Sequence, residues 1–228
     1  MGNQAFNDWF APDTVQRHML GLQLDAVDPF WGQGTFVYVK SADAILKGSV
    51  VIWDESFNSV LVPNTANQGF PVGVAMAPMA SGTYGWAQIT GRAVYKTNAT
   101  VAADAAIGIA AAGILGTNAA GKQILNCRNR VAATGTKTVT AQTLTNSAVL
   151  TTAGYDGFFL GMALSGTGVP ASTVVAKLDS DGKTIYMGSA IGTVDKLATA
   201  SGSITLTGTY TGFGSGVIAR PFAQGAIT

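Results

Sequence analysis

A single histidine, His18, and a single cysteine, Cys127, limit what this chain of 228 residues can catalyse. A nucleophilic thiol needs a base to take its proton, and His18 stands far from Cys127 in a stretch that reads as an arm. One cysteine builds neither an internal disulfide nor a Cys-based zinc site, so Cys127 is expected to be a small buried hydrophobe. The carboxylates are scattered. Asp54-Glu55 follows a strand run and reads as a solvated turn. Asp179-Ser180-Asp181-Gly182 resembles the first half of a calcium loop, but Lys183 and Ile185 follow and the closing glutamate is missing. Ser180 and Lys183 meet an S-x-x-K spacing without the helix or the partner motifs that chemistry needs. Gly32-Gln33-Gly34 and Gly212-Phe213-Gly214-Ser215-Gly216 could pass for phosphate loops. No strand is expected before the first and no helix start after either, so both read as flexible turns. Asn98-Ala99-Thr100 matches a glycosylation sequon, but no signal peptide is expected on the chain. The expectation is a non-enzymatic protein without cofactor or metal.

Composition points the same way. Hydrophobic residues make up 47% of the chain and charged residues only 11%, against about 25% charged in ordinary domains. A disordered chain has the opposite balance, so this one folds. Its uncharged Thr, Ser, Asn, Ala and Gly surface suits packing against copies of itself or a partner. The 13 basic and 12 acidic residues leave a formal charge of +1, and no Lys/Arg block offers phosphates a converging set of cations. No nucleic acid is expected as a partner. The most apolar stretch, Val101 to Leu115, contains Asp104 and is too short to span a bilayer, so no membrane is expected either. The chain reads as soluble and made in a cytoplasm.

The elements are short strands. Residues 1–35 have no sustained periodicity and read as an N-terminal arm carrying large apolar groups, with a short helix possible over Thr14 to Leu20 capped by Asp13 or Thr14. Trp9, Phe10, Phe30 and Trp31 are the expected anchors for contact with a partner or another subunit. Such residues on a segment with no core of its own must be buried against something. From Thr35 onward aromatic and β-branched runs recur between Gly, Asn and Pro: Phe36 to Val39, Val50 to Trp53, Val60 to Val62, Trp86 to Thr90 and Ala93 to Tyr95. Spacing by two at Ile107 and Ile109, with Gly108 and Gly113 disfavouring helix, argues for strand and loop over 101–115. A Thr/Ser/Gly-rich zone over 131–209 adds strands at 138–140, 148–151, 158–164, 173–178, 184–187 and 203–209. Asp181-Gly182 marks a type I′ hairpin turn in it. Gly216 to Ala219 then returns as a closing strand. The expected fold is all-β: a small β-barrel from 36–130 plus 210–228, an inserted immunoglobulin-like β-sandwich over 131–209, and the extended arm.

The runs Thr35-Phe36-Val37-Tyr38-Val39-Lys40-Ser41-Ala42, Ile45 to Val51, and Tyr84-Gly85-Trp86-Ala87-Gln88-Ile89-Thr90-Gly91 resemble the barrel of tailed-bacteriophage capsid decoration (cement) proteins. The closing Arg220-Pro221-Phe222-Ala223-Gln224-Gly225-Ala226-Ile227-Thr228 is similar to the C-termini of that group. The stretch from Gly161 to Tyr186 resembles an immunoglobulin-like module found in virion and bacterial surface proteins. The resemblance implies a structural virion protein, commonly a homotrimer, on the capsid exterior. There it would bind the major capsid protein and bridge capsomers, with no catalytic residues. The runner-up is a tail, neck or host-adhesion component, which such a module would also suit. Long repeats and coiled-coil heptads, usual in tail fibres, are missing.

Overall fold

The computed structural model describes residues 11–28, 32–98, 101–132, 134–155, 157–179, 181–190 and 192–225. The protein is all-β, and no helix occurs among the described residues. It divides into two compact units, Met1–Ala133 with Gly212–Thr228, and Thr134–Thr211.

In the first unit, β1 (Gln23–Asp28), β2 (Gly32–Ser41), β3 (Val50–Trp53), β4 (Asn58–Leu61), β5 (Val72–Ala75) and β6 (Tyr84–Gln88) form one sheet in the order β1-β2-β4-β3-β5-β6. A further β2–β6 pairing, Phe36↔Gln88 to Lys40↔Tyr84, carries β2, β4, β3, β5 and β6 round a closed ring with β1 attached outside. The apolar run of β2 is continuous because both its faces are buried. Val37 and Val39 join Val51, Ala75 and Ala87 in one cluster, while Phe36 and Tyr38 join Trp86 and Met76 on the other face.

A second sheet is built from β7 (Thr90–Lys96), β8 (Ala106–Ala111), β9 (Ile114–Thr117), β10 (Gln123–Val131) and a late strand running Phe213–Ala223, in the order β7, late strand, β10, β8, β9. The closing run around Gly216 to Ala219 therefore pairs with β7 and β10 and does not complete the first ring, which β2 and β6 close by themselves. The two sheets share a core of Val50, Ile52, Val72 and Val74 against Tyr95, Ile107, Ile124 and Ile218. Each such side chain is worth about 1.5–3 kcal/mol when fully buried.

The second unit holds β11 (Thr134–Thr143), β12 (Val149–Thr152), β13 (Ala163–Ser165), β14 (Thr173–Leu178), β15 (Thr184–Gly188) and β16 (Gly202–Thr211). The late strand of the first unit follows as β17. The β-rich module expected here is present, and its pairing in the order β11-β12-β15-β14-β13-β16 runs all the way round, so its sandwich-like strands close into a barrel without an open edge. Leu150, Met162, Val175, Ile185, Met187 and Leu206 fill its core.

Several local expectations are corrected. No helix forms over 14–20, because Asp13 is not a cap: its backbone bridges Tyr84 and its side chain is buried against the barrel. Residues 23–28, read as arm, form β1, so a strand does precede Gly32-Gln33-Gly34, which itself opens β2. Gly34 is needed for contact and not for phosphate, since a Cβ there would lie 2.8 Å from the Thr90 carbonyl oxygen. Phe213 to Gly216 lie in β17, with only Gly212 in a turn at φ +79°. Over 158–164 only Ala163 and Leu164 are strand, because Phe158 and Met162 are turned inward to plug the barrel beneath Gly208. The Asp181-Gly182 turn is not type I′. Asp179 N donates to Thr184 O at 3.0 Å, which makes the loop wider than the two residues of that turn, and the Asp181 carboxylate holds it through Lys183 N (2.7 Å) and Thr184 N (2.8 Å).

Candidate binding surfaces

Residues 11–22 cross the outer face of the barrel, where Tyr38 of β2 and Trp86 of β6 lie buried. Leu20, Leu22 and Leu24 pack on that aromatic face. Gly21 N donates to Tyr38 O at 2.9 Å and Tyr38 N donates to Leu22 O at 3.0 Å, which extends the strand pairing along β2. The polar groups left on this face are paired. The Tyr38 hydroxyl donates to Asp13 Oδ2 at 2.8 Å, and Arg17 Nε lies 3.0 Å from Asp13 Oδ1. Arg17 N donates to the Tyr38 hydroxyl at 3.3 Å. Burial, reinforced by the hydrogen bond and charge of Asp13, pushes the Tyr38 hydroxyl up to about 12. His18 stands edge-on to Tyr38, ring centres 5.1 Å apart, and 5.3 Å from Trp86. Asp13 thus spends both carboxylate oxygens on fastening the arm.

The fastening continues at the β3–β4 turn. Asp54 Oδ1 accepts from Ser56 N and Asn58 N, both at 2.9 Å, and holds Phe57 at φ +60°. Asn58 Nδ2, which donates to Asp54 Oδ2 at 3.0 Å, and after it these backbone bonds keep the Asp54 carboxyl below the usual carboxylate range. The Phe57 ring then lies on Gly21, itself at φ +78°, where a Cβ would come within 2.3 Å of the ring.

A different surface lies on the outer face of the second sheet. Its five strands contain Arg92, Lys96, Arg128, Arg130 and Arg220 and not one Asp or Glu. Val217 on β17 pairs with Arg92 on β7 and with Arg128 on β10, and all three are exposed. A little further along, Leu125 pairs with Phe222, and the Phe70 carbonyl accepts from the neighbouring Ala223 N. Phe70, Leu125 and Phe222 remain 38–43% exposed. Arg130 is tied to Asp104 at 2.6 Å and Arg220 to Gln23 at 3.1 Å. Sequence reading missed this face because its cations come from three strands far apart in the chain. The signal was the absence of acid from the runs that became those strands.

The four anchors expected from the sequence, Trp9, Phe10, Phe30 and Trp31, lie outside the described residues. Cys127 packs against the core shared by the two sheets. Burial pushes its thiol up to about 12 even though the Tyr95 hydroxyl bonds it. Burial likewise raises Tyr95, whose hydroxyl donates to the buried Asn129 Oδ1 at 3.1 Å. His18 and Cys127 belong to separate clusters. Asp179 and Asp181 serve their own hairpin, Asp179 accepting from the Tyr186 hydroxyl at 3.2 Å and Asp181 from Thr184 Oγ1 at 2.6 Å. Among the described residues no group of three His, Cys, Asp or Glu could hold a metal ion. Compared with protein-family models, curated proteins and solved structures, the chain matches none.

Proposed function

We propose that the chain is a structural virion protein that binds the outer surface of an assembled tailed-phage capsid and ties neighbouring capsomers together. Its partners are the major capsid protein and further copies of itself, in a homotrimer. The role needs no cofactor, metal, nucleic acid or membrane. The observation that carries the reading is the exposed apolar cluster Phe70, Leu125 and Phe222 on a chain with only 11% charged residues. Such a patch favours burial against another protein. The resemblance of residues 35–91 and 220–228 to capsid decoration proteins supplies the particular partner. A tail, neck or host-adhesion component is the second reading, favoured by the self-contained barrel of Thr134–Thr211, which could present a binding surface of its own.

The test is to add purified protein to phage shells that lack it, image the particles and heat them. The expected result is density on the outer surface at capsomer junctions, and shells that open at higher temperature. Density confined to the tail or neck would favour the second reading, and shells that neither bind nor gain heat resistance would reject the first.

A further inference from the structure

The near-neutral net charge hides a separation within the first unit. Residues 11–89 hold six Asp or Glu against three Lys or Arg, whereas 90–132 with 212–225 hold six Lys or Arg against Asp104 alone. On the basic side, the row Arg92–Val217–Arg128 sets a valine that is 56% exposed between two guanidinium-bearing strands. Strand spacing puts the two arginine backbones about 10 Å apart. On the acidic side, the residues follow one edge of β2. Asp25 is paired with Thr35, Gly21 bonds Tyr38, and the turn carrying Asp54 and Glu55 ends at Phe57, which bonds Lys40. This edge is also apolar, with Val27 71% exposed beside Asp25. No strand pairs with the outer side of β1 among the described residues.

Each surface is thus an exposed apolar group flanked by charge, and the charges are of opposite sign. We propose that the two dock on each other between copies of this chain: the Arg92–Val217–Arg128 face of one copy against the Asp25–Val27 and Asp54–Glu55 edge of the next. Because the two surfaces differ, the contact is head-to-tail. It closes into a ring when the rotation between copies divides a full turn, as three copies would. Opposite charge rejects face-to-face and edge-to-edge pairing and sets the register. A duplex or single-stranded nucleic acid fits the basic face less well, because the arginines alternate with exposed Val217, Leu125 and Phe222 and leave few phosphates neutralised. The proposal rests on the self-association in the functional reading, but not on the capsid as partner.

The experiment uses the full chain. Sedimentation velocity over a concentration series, at low and high ionic strength, is run on wild type, Arg128→Glu, Asp25→Arg, Glu55→Lys and the Arg128→Glu/Glu55→Lys combination. Circular dichroism and thermal melts confirm that each is folded. Glu55→Lys is included because Asp25 also accepts from the Thr35 hydroxyl at 2.6 Å, so replacing it could disturb β1, whereas Glu55 lies exposed in a turn. The expected result is wild-type association that weakens with salt. Each single reversal should weaken it by about tenfold, the scale of one interfacial charge contact, and the combination should recover most of the loss. Association indifferent to every reversal would overturn the docking geometry while leaving self-association intact. A strict monomer at every concentration would overturn the copy-to-copy contact, with cosedimentation on shells deciding the capsid reading separately. Unchanged oligomers whose Arg128→Glu form no longer binds shells, or no longer binds duplex DNA, would give the basic face to that other occupant and overturn the proposal.

Discussion

With both oxygens of Asp13 engaged, one to Tyr38 and one to Arg17, the carboxylate is the polar keystone under the arm. Replacing it by alanine leaves the buried Tyr38 hydroxyl without that acceptor, a loss of about 1–3 kcal/mol. Asp13→Ala is therefore expected to lower the melting temperature and to open residues 11–22 to limited proteolysis before the rest of the chain. Alkaline pH attacks the same contact. The Tyr38 proton is held up to about 12, above the ordinary 10 of an unfolded tyrosine. The stabilisation is complete below pH 10 and disappears as pH rises through about 12. Tyrosinate absorbance and arm proteolysis followed together should show Tyr38 ionising late, with release of the arm. Tyr38→Phe should remove that late step. None of this was visible in sequence. Asp13 looked like a helix cap because an Asp before a mixed run is the ordinary capping signal, and the competing partner, Tyr38, lies in a different element.

At the scale of elements, the ends of the inserted barrel are ladder partners, Thr134 with Thr211, and the strands outside it pair as Val131 with Ser215. Joining 133 to 212 through a short Gly/Ser linker should leave the first unit with its pairing and its core. The expected outcome is a soluble, cooperatively melting β protein by circular dichroism, and insoluble material would mean that the two units share a core. Strands such as 36–39, 50–53 and 203–209 were legible because β-branched and aromatic residues sit between Gly, Asn and Pro. Partnership was not. β17 could close either sheet on its apolar pattern alone, and only its pairing with β7 and β10 assigns it to the second. The segment 158–164 misled for a related reason. Apolar runs that plug a barrel from a turn carry the same composition as a strand, and period alone cannot separate them.

For the whole molecule, the arm has to be treated as two segments. Removing residues 1–35 would delete β1 and the start of β2, so a loss of shell binding would report only unfolding. Removal of residues 1–10 spares Asp13 and tests Trp9 and Phe10 as anchors. Each is worth about 1.5–3 kcal/mol if fully buried on the shell, before the cost of ordering the segment. Shell occupancy should fall sharply on this truncation and on Trp9→Ala/Phe10→Ala. It should change little with salt, since apolar burial is not screened. Unchanged occupancy would move the shell contact onto the folded units. The acidic and basic surfaces of the first unit escaped linear reading for a simple reason: a formal charge of +1 averages over the chain, and the cations meet only when β7, β10 and β17 lie side by side.

The hydrogen-bonded ends of the insert also bear on how fast its host can form. β10 and β17 must find each other across everything between them. Folding of Thr134–Thr211 first shrinks that loop, in effect, from about 80 residues to about 5, which lowers the entropic cost of closure by about 2.5 kcal/mol. The insert then works as a preformed clip, and its folding should precede the β10–β17 ladder in time. A core truncation there, such as Leu150→Ala, should slow the appearance of native Cys127 burial in stopped-flow refolding. The slowing should reach about sixtyfold when the insert stays unfolded, with unfolding of the first unit barely changed.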